Sequence, residues 1–346
     1  MANISFFNAL QYHILYNKGI NLYGGTAMKT IHIEFSDERL ITPSGLVFVG
    51  QILGKSNFVK KINRAPISNE YLQKQIKNGD ILLTYIGMLC QGKPQYEAVR
   101  EMMDDPGYYK YALGIAYAIP SAETLRQRLD MIGDSLRGDI LQANIDMLRE
   151  MKIEPAALEN GYVPVDIDVT PFDNSKTKKE GVSRTYKGFD GYAPIMAYIG
   201  TEGYFVNTQL RVGKQHCQKE TPDFLRETIE LCRQLTDKPL LIRLDSGNDA
   251  SENIGIFMEE SYRYNNVSFI IKRNPRQESK EEWLASVKDC CTNIQKPRDG
   301  KTVYIGQTFR DVTYTLPNKT EKTAGIRTTY EITERTIDKH GQYFIV

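Results

Sequence analysis

Residues Val163 to Phe172 alternate between apolar and polar, and the alternation places two carboxylates in Val165-Asp166-Ile167-Asp168-Val169-Thr170. Side chains on a strand point to opposite faces with period 2, so Asp166 and Asp168 share one face. A charge in an otherwise apolar strand is costly unless it is paired or bound to a cation. Any fold built on this segment must therefore bury one face and leave the other open. Tyr192 to Ile199 and Tyr204 to Val212 read as two more strands, with turns at Gly200 and Gly203. Thr221-Pro222-Asp223 then opens a helix with Phe224, Leu225, Ile229 and Leu231/Cys232 on its apolar face. Leu240 to Leu244 reads as a buried strand, about Ser251 to Tyr264 as a helix, and Val267 to Ile271 as a strand. The order is strand, strand, strand, helix, strand, helix, strand. Three antiparallel strands followed by crossover helices would set the first strand beside the fourth, which ends at Asp245. Asp168 and Asp245 are then expected to meet at one edge.

Two neighbouring carboxylates repel, so a shared site points to a divalent cation. Metal ions held by such groups activate a water or a 3′-hydroxyl and stabilise the leaving oxygen in phosphodiester chemistry. A salt bridge to Arg243, or a role as strand-end caps, is the alternative. Between the first two strands lies a basic loop, with Lys176, Lys178, Lys179, Arg184 and Lys187 against Glu180. Composition alone reads it as solvated; its place beside the acidic strand makes it a candidate phosphate contact.

Upstream, between Pro43 and Leu158, the pattern is helical. Ser68 is placed to cap a helix through Tyr71, Leu72 and Ile76. Gly79 to Leu89 reads as a buried apolar helix, and Tyr96, Val99 and Met102/Met103 as the apolar face of another. Pro120-Ser121 opens a short helix with Leu125 and Leu129 on one face and Arg126 and Arg128 elsewhere. It resembles the second helix of a helix-turn-helix; a solvent-facing helix in a plain bundle is the other reading. Ile31 to Phe35 is strand-like, and the first 27 residues show no periodicity and are read as a possible extension. Beyond Pro275 come a helical piece around Trp283 to Val287 and strand-like runs at Thr302–Phe309, Val312–Leu316, Arg327–Thr336 and Gln342–Val346.

A net charge of +1 neither supports nor excludes nucleic acid, because local clusters matter more than the sum. Five cysteines with no C-x-x-C spacing argue against a zinc site or a disulfide framework. No apolar run approaches the roughly 20 residues a membrane helix needs, and no signal peptide is visible, so the expected location is cytoplasmic.

Asp166-Ile167-Asp168-Val169-Thr170, Gly188-Phe189-Asp190-Gly191-Tyr192, Arg211-Val212-Gly213-Lys214-Gln215-His216 and Arg243-Leu244-Asp245-Ser246-Gly247 together resemble a known family. They are similar to the DDE transposases of bacterial insertion sequences, in the IS4-like group and most like the IS1380 family. The resemblance runs from Met28 onward and includes Thr42-Pro43-Ser44-Gly45-Leu46. It implies an α+β chain: a possible extension at 1–27, a helical DNA-binding region at 28–160, a ribonuclease H-like mixed sheet with flanking helices at 161–275, and a partial β-strand insertion at 276–346. It implies a Mg²⁺ (or Mn²⁺) cofactor, with Asp168 and Asp245 as catalytic metal ligands and Asp166 and Arg243 supporting them. Lys178, Lys179, Arg184 and Lys187, with Arg126 and Arg128, would contact DNA, and His216 is a weaker candidate. Its partners would be double-stranded DNA with terminal inverted repeats, target DNA and a second copy in a synaptic homodimer, at the bacterial nucleoid. The family pattern also requires a Glu on a helix after the insertion, and the sequence ends before such a helix. Glu331 has the family's spacing from Arg327, but Ala324 stands at the Tyr position and Asp338 at the Lys position, in a β-prone segment. The expectation is a transposase chain that is catalytically incomplete. A DNA-binding remnant without catalysis and a structure-specific ribonuclease H-like nuclease are the rival readings.

Overall fold

A computed structural model describes residues 12–16, 31–35, 43–65, 75–264, 266–276, 278–316, 318–335 and 344–345. The chain divides into two compact units, Met1–Gly54 with Ile67–Gly133, and Lys55–Pro66 with Asp134–Val346.

Strand β1 (Tyr12–Tyr16) pairs antiparallel with β2 (Ile31–Phe35), Tyr12 opposite Phe35. A strand thus lies within the first 27 residues, where no periodicity announced it. The helices that follow are α1 (Leu46–Lys55), α2 (Phe58–Arg64), α3 (Asn78–Cys90), α4 (Val99–Asp104), α5 (Pro106–Leu113) and α6 (Ala122–Glu150). Their ends follow local chemistry. The Asp105 carboxylate accepts from the Tyr108 amide at 3.4 Å, Pro106 opens α5, and Gly114 closes it at φ 74°. Ser121 accepts from the Thr124 amide at 3.2 Å at the start of α6. The buried Asp80 carboxylate accepts from the Ala116 and Tyr117 amides, both at 3.0 Å. Backbone donors thus satisfy a charge that burial would otherwise penalise. The capping role expected of Ser68 falls outside the described residues.

One expectation is corrected here. The helix after Ser121 is not a short recognition element but runs for 29 residues. Its buried stripe continues past Leu125 through Ile132, Leu136, Leu141, Ile145 and Leu148, so nothing in the pattern stops it.

The second unit is organised by a five-stranded sheet. Its first strand, β3 (Val163–Val169), is followed by the short β4 (Phe172–Asp173), β5 (Ser183–Arg184) and β6 (Asp190–Tyr192), which form their own small sheet. Then come β7 (Ile195–Ile199), β8 (Tyr204–Gln209), α7 (Thr221–Arg233), β9 (Leu240–Leu244), α8 (Ser251–Tyr264) and β10 (Val267–Ile271). The main sheet has the order β10-β9-β3-β7-β8, with β3, β9 and β10 parallel and β7 antiparallel to both β3 and β8. That is a ribonuclease H-like arrangement, and it sets the first strand beside the fourth as the sequence predicts. One closed core holds it: Val163, Val165 and Ile167 of β3 pack in a cluster with Leu225, Ile229, Ile242 and Phe257.

Helix α9 (Lys280–Lys288) precedes β11 (Asn293–Arg298), β12 (Lys301–Thr315), β13 (Glu321–Arg335) and β14 (Phe344–Ile345). The two strands expected at Thr302–Phe309 and Val312–Leu316 are one strand, paired with β13 from Lys301↔Arg335 to Thr315↔Glu321. β11 was not expected: it is fully exposed, lacks alternation and contains Pro297. The hairpin packs closely on α8, where a Cβ on Gly255 would sit 2.8 Å from the Tyr314 ring.

Candidate active site

The alternation in β3 leaves Asp166 and Asp168 exposed on one face while Val165 and Ile167 are buried on the other. In the parallel pairing of β3 with β9, Asp166 stands opposite Arg243. The two are joined by a bidentate ion pair, Arg243 donating from Nε and Nη2 at 2.5 Å each. Asp168 lies two residues beyond Asp166 on β3, and Asp245 follows the last residue of β9, two residues beyond Arg243.

The Tyr186 hydroxyl donates to the Val169 carbonyl at 3.3 Å. Partial burial pushes its pKa up, and the charges of Asp168 and then Asp245 push it further. Both carboxylates therefore act on one phenol. Asp245 lines a cleft of about 490 Å³ whose wall also includes Val169, Arg184, Tyr186, His216 and Cys217. Asp168 Oδ1 accepts from the amide of Val169 at 2.8 Å, and Asp245 Oδ1 from the Asn248 side chain at 2.8 Å. Among the described residues neither carboxylate is in an ion pair, in contrast to Asp166. The Cys217 thiol donates to the Gly247 carbonyl at 2.8 Å, and burial, then Asp245, push its pKa up. His216 is exposed and its Nδ1 accepts from the Gln218 amide at 3.3 Å.

The basic loop is folded, not loose. The Thr185 amide and hydroxyl both donate to the Phe189 carbonyl at 2.8 Å, and Gly188 turns the chain at φ 86°. Beneath it a Cβ on Gly213 would lie 2.0 Å from the Ser183 carbonyl oxygen and 2.3 Å from that of Gly191. Lys178, Lys179, Arg184 and Lys187 are all exposed, and Arg184 lies on the cleft wall, 3.8 Å from Asp190.

The two arginines of α6 fare differently. Arg126 is exposed and pairs with Glu123 and Asp130 along its own helix. Arg128 is only 4% exposed; it donates to the Ile76 carbonyl at 2.9 Å and to Asn78. Its charge is used inside the helical unit, which corrects the expectation that it faces DNA. Glu331 lies on β13 opposite Ile305 and lines a separate hollow with Trp283 and Tyr330. Glu259 pairs with Arg226, and Glu260 is buried beside Arg263. Among the described residues no three His, Cys, Asp or Glu side chains gather into a set that could hold a metal ion. Tyr186 and Asn248 were not singled out from the sequence. An aromatic between Arg184 and Lys187 was the one available signal.

The sheet order and the paired carboxylates at its parallel ends define a ribonuclease H-like protein. Residues 25–315 match the family described as Transposase DDE domain group 1, and the chain belongs to that family. Comparison with curated proteins finds no match. Among solved structures, a cryo-EM structure of the piggyBac transposase synaptic complex with hairpin DNA is 14% identical, at a TM-score of 0.32. The alignment covers 81% of this chain and 59% of that one. No helix of the described residues is long and apolar enough to cross a membrane.

Proposed function

We propose that the chain carries the metal- and DNA-binding core of an insertion-sequence transposase of the IS1380-like kind, acting on phosphodiesters at the element's ends. The observation that supports this is the exposure of Asp168 and Asp245 at the carboxyl ends of the neighbouring parallel strands β3 and β9, with no ion pair to either among the described residues.

The donor set fits magnesium or manganese. Both are hard cations that accept one or two carboxylates and complete their shell with water and substrate phosphate oxygens. Asp168 and Asp245 would be those carboxylates, each using Oδ1 for its hydrogen bond within the protein and keeping Oδ2 for the cation. When bound, the metal activates the attacking oxygen and stabilises the leaving one. The protein's own part is positional. Asp166 engages Arg243 in a bidentate pair, which would leave that guanidinium occupied rather than free to neutralise the two ligand carboxylates. Arg184, at the cleft, and the exposed Lys178, Lys179 and Lys187 of the loop would track the DNA backbone through charge. Arg126 is a weaker contact because two acids already share its charge. Inverted-repeat ends, target DNA and a second copy in the synaptic assembly are the proposed partners, at the bacterial nucleoid.

The test is Mn²⁺ titration of wild type, Asp168→Asn and Asp245→Asn, read by electron paramagnetic resonance, alongside nicking of a plasmid carrying the DNA that flanks the coding sequence. Either substitution should abolish the tight Mn²⁺ population and any nicking. Wild-type Mn²⁺ binding in both variants would sink the proposal. Glu331, the acid with the family's spacing, lines a hollow of its own on β13, and this favours a second reading, a DNA-binding protein without turnover. Retained end-binding in Asp168→Asn, with no nicking by wild type, would select it.

A further inference from the structure

Asp245 sits at the head of a tightly tied turn. Residues Ser246–Asn248 form one turn of 3-10 helix, in which the Asn248 amide donates to the Asp245 carbonyl at 3.2 Å and the Asp249 amide to that of Ser246 at 3.3 Å. The Asn248 side chain, 1% exposed, turns back to donate to Asp245 Oδ1. Its own backbone carbonyl accepts from the buried Asn253 side-chain amide at 2.9 Å. The far end of the turn carries a second buried acid. Asp249 is 5% exposed, and its carboxylate accepts from the Asn274 amide at 3.1 Å and from Arg310 Nη2 at 2.8 Å.

Arg310 belongs to another part of the unit altogether. It lies in the middle of β12 and shares a strand face with Val312 and Tyr314, both buried. Tyr314 is the residue against which Gly255 of α8 packs. A buried carboxylate is tolerated only with a well-placed cation and hydrogen bonds, and Arg310 is that cation. The chain of contacts therefore runs from the long hairpin to Asp249, through the turn to Asn248, and ends on the Asp245 carboxylate.

We infer that Arg310 is a positioning residue for Asp245: by anchoring Asp249 it fixes the turn from which Asn248 orients the carboxylate toward the cation. The inference rests on the metal reading above. It also gives the β-hairpin a second task, since displacement of β12 would misplace one ligand without touching it.

The probe is Mn²⁺ alone, titrated into the full chain, with the thermal unfolding midpoint measured on the same samples. Arg310→Met should weaken Mn²⁺ binding about tenfold or more, the usual scale for loss of a group that orients a ligand. Asn248→Ala should weaken it similarly, and the double variant should be no weaker than the weaker single one, because both act on one contact chain. Arg310→Lys should recover part of the loss, since an ammonium reaches one oxygen but lacks the guanidinium fork. Asp311→Asn, exposed and one residue along, should bind as wild type. A lowered midpoint with unchanged Mn²⁺ affinity in Arg310→Met would make its role purely structural and overturn the inference. So would additive losses in the double variant. Unchanged binding in Asp245→Asn would instead remove the metal reading, and this inference with it.

Discussion

Arg137 is the side chain whose removal from the second unit has the most calculable cost. From α6 it donates to both Glu227 oxygens, at 3.0 and 2.7 Å, to Asn207 Oδ1 at 2.8 Å and to the Thr208 carbonyl at 2.7 Å. It thereby ties α6 to β8 and α7 at once. Arg137→Met keeps most of the aliphatic stem but strands the acceptor of Asn207, which is completely buried. A buried acceptor left without its donor costs about 1–3 kcal/mol. The ion pair itself, about a third exposed on both sides, adds only about 0.5–1 kcal/mol after solvent screening. The variant should lose about 1.5–4 kcal/mol at pH 7.

A pH dependence follows from Glu227. Burial works to raise its pKa, but hydrogen bonds from Arg137 and Asn207, with the Arg137 charge, outweigh burial and hold it below its ordinary 4.5. A depressed carboxyl contributes stability that is fully present above its unfolded value and is lost as pH falls through the folded one. The gap between wild type and Arg137→Met should therefore be constant above about pH 5.5 and narrow below pH 4.5. Urea unfolding followed by the single tryptophan, Trp283, reads this unit directly. A gap under about 0.5 kcal/mol at pH 7, or one that does not narrow in acid, would refute the reasoning.

Other outcomes follow from the same structure. Gly213→Ala puts a methyl 2.0 Å from the Ser183 carbonyl, so the backbone must retreat by about 1 Å; overpacking of this kind costs about 1–3 kcal/mol, and the mobility of the 183–191 loop in amide exchange should rise with it. Arg128→Met leaves the Ile76 carbonyl without its donor and should destabilise the helical unit by about 1–3 kcal/mol. Arg126→Met, on the solvent side, should leave the unfolding midpoint unchanged in the same thermal melt. Replacing Lys178, Lys179 and Lys187 by Ala should weaken DNA binding uniformly across sequences. It should also flatten the slope of log affinity against log salt by about 0.9 for each phosphate no longer neutralised, measured by fluorescence anisotropy.

How much of this was legible in advance depends on the range of the interaction. Period-2 alternation put Asp166 and Asp168 on one face and Ile167 on the other, and the structure keeps them there. The strand–helix order, with parallel crossovers, was enough to set β3 beside β9. Those are local patterns combined with one topological rule. The length of α6 is not carried by Arg126 and Arg128, which suggest a short recognition helix, but by the apolar stripe that runs on to Leu148.

The sequence by itself determined the strand and helix order of the main sheet, the open acidic face of β3 and the family, since each is written in residue type and spacing. Only the tertiary structure decided which charges are free. Arg243 is held by Asp166, Arg128 is bound to Ile76 and Asn78, and Asp249 is claimed by Arg310. Asp168 and Asp245 are exposed and outside any ion pair of the described residues. The physical reason is that a charge pairs with whatever lies within a few ångströms of it, and partners so far apart along the chain become neighbours only when the sheet closes.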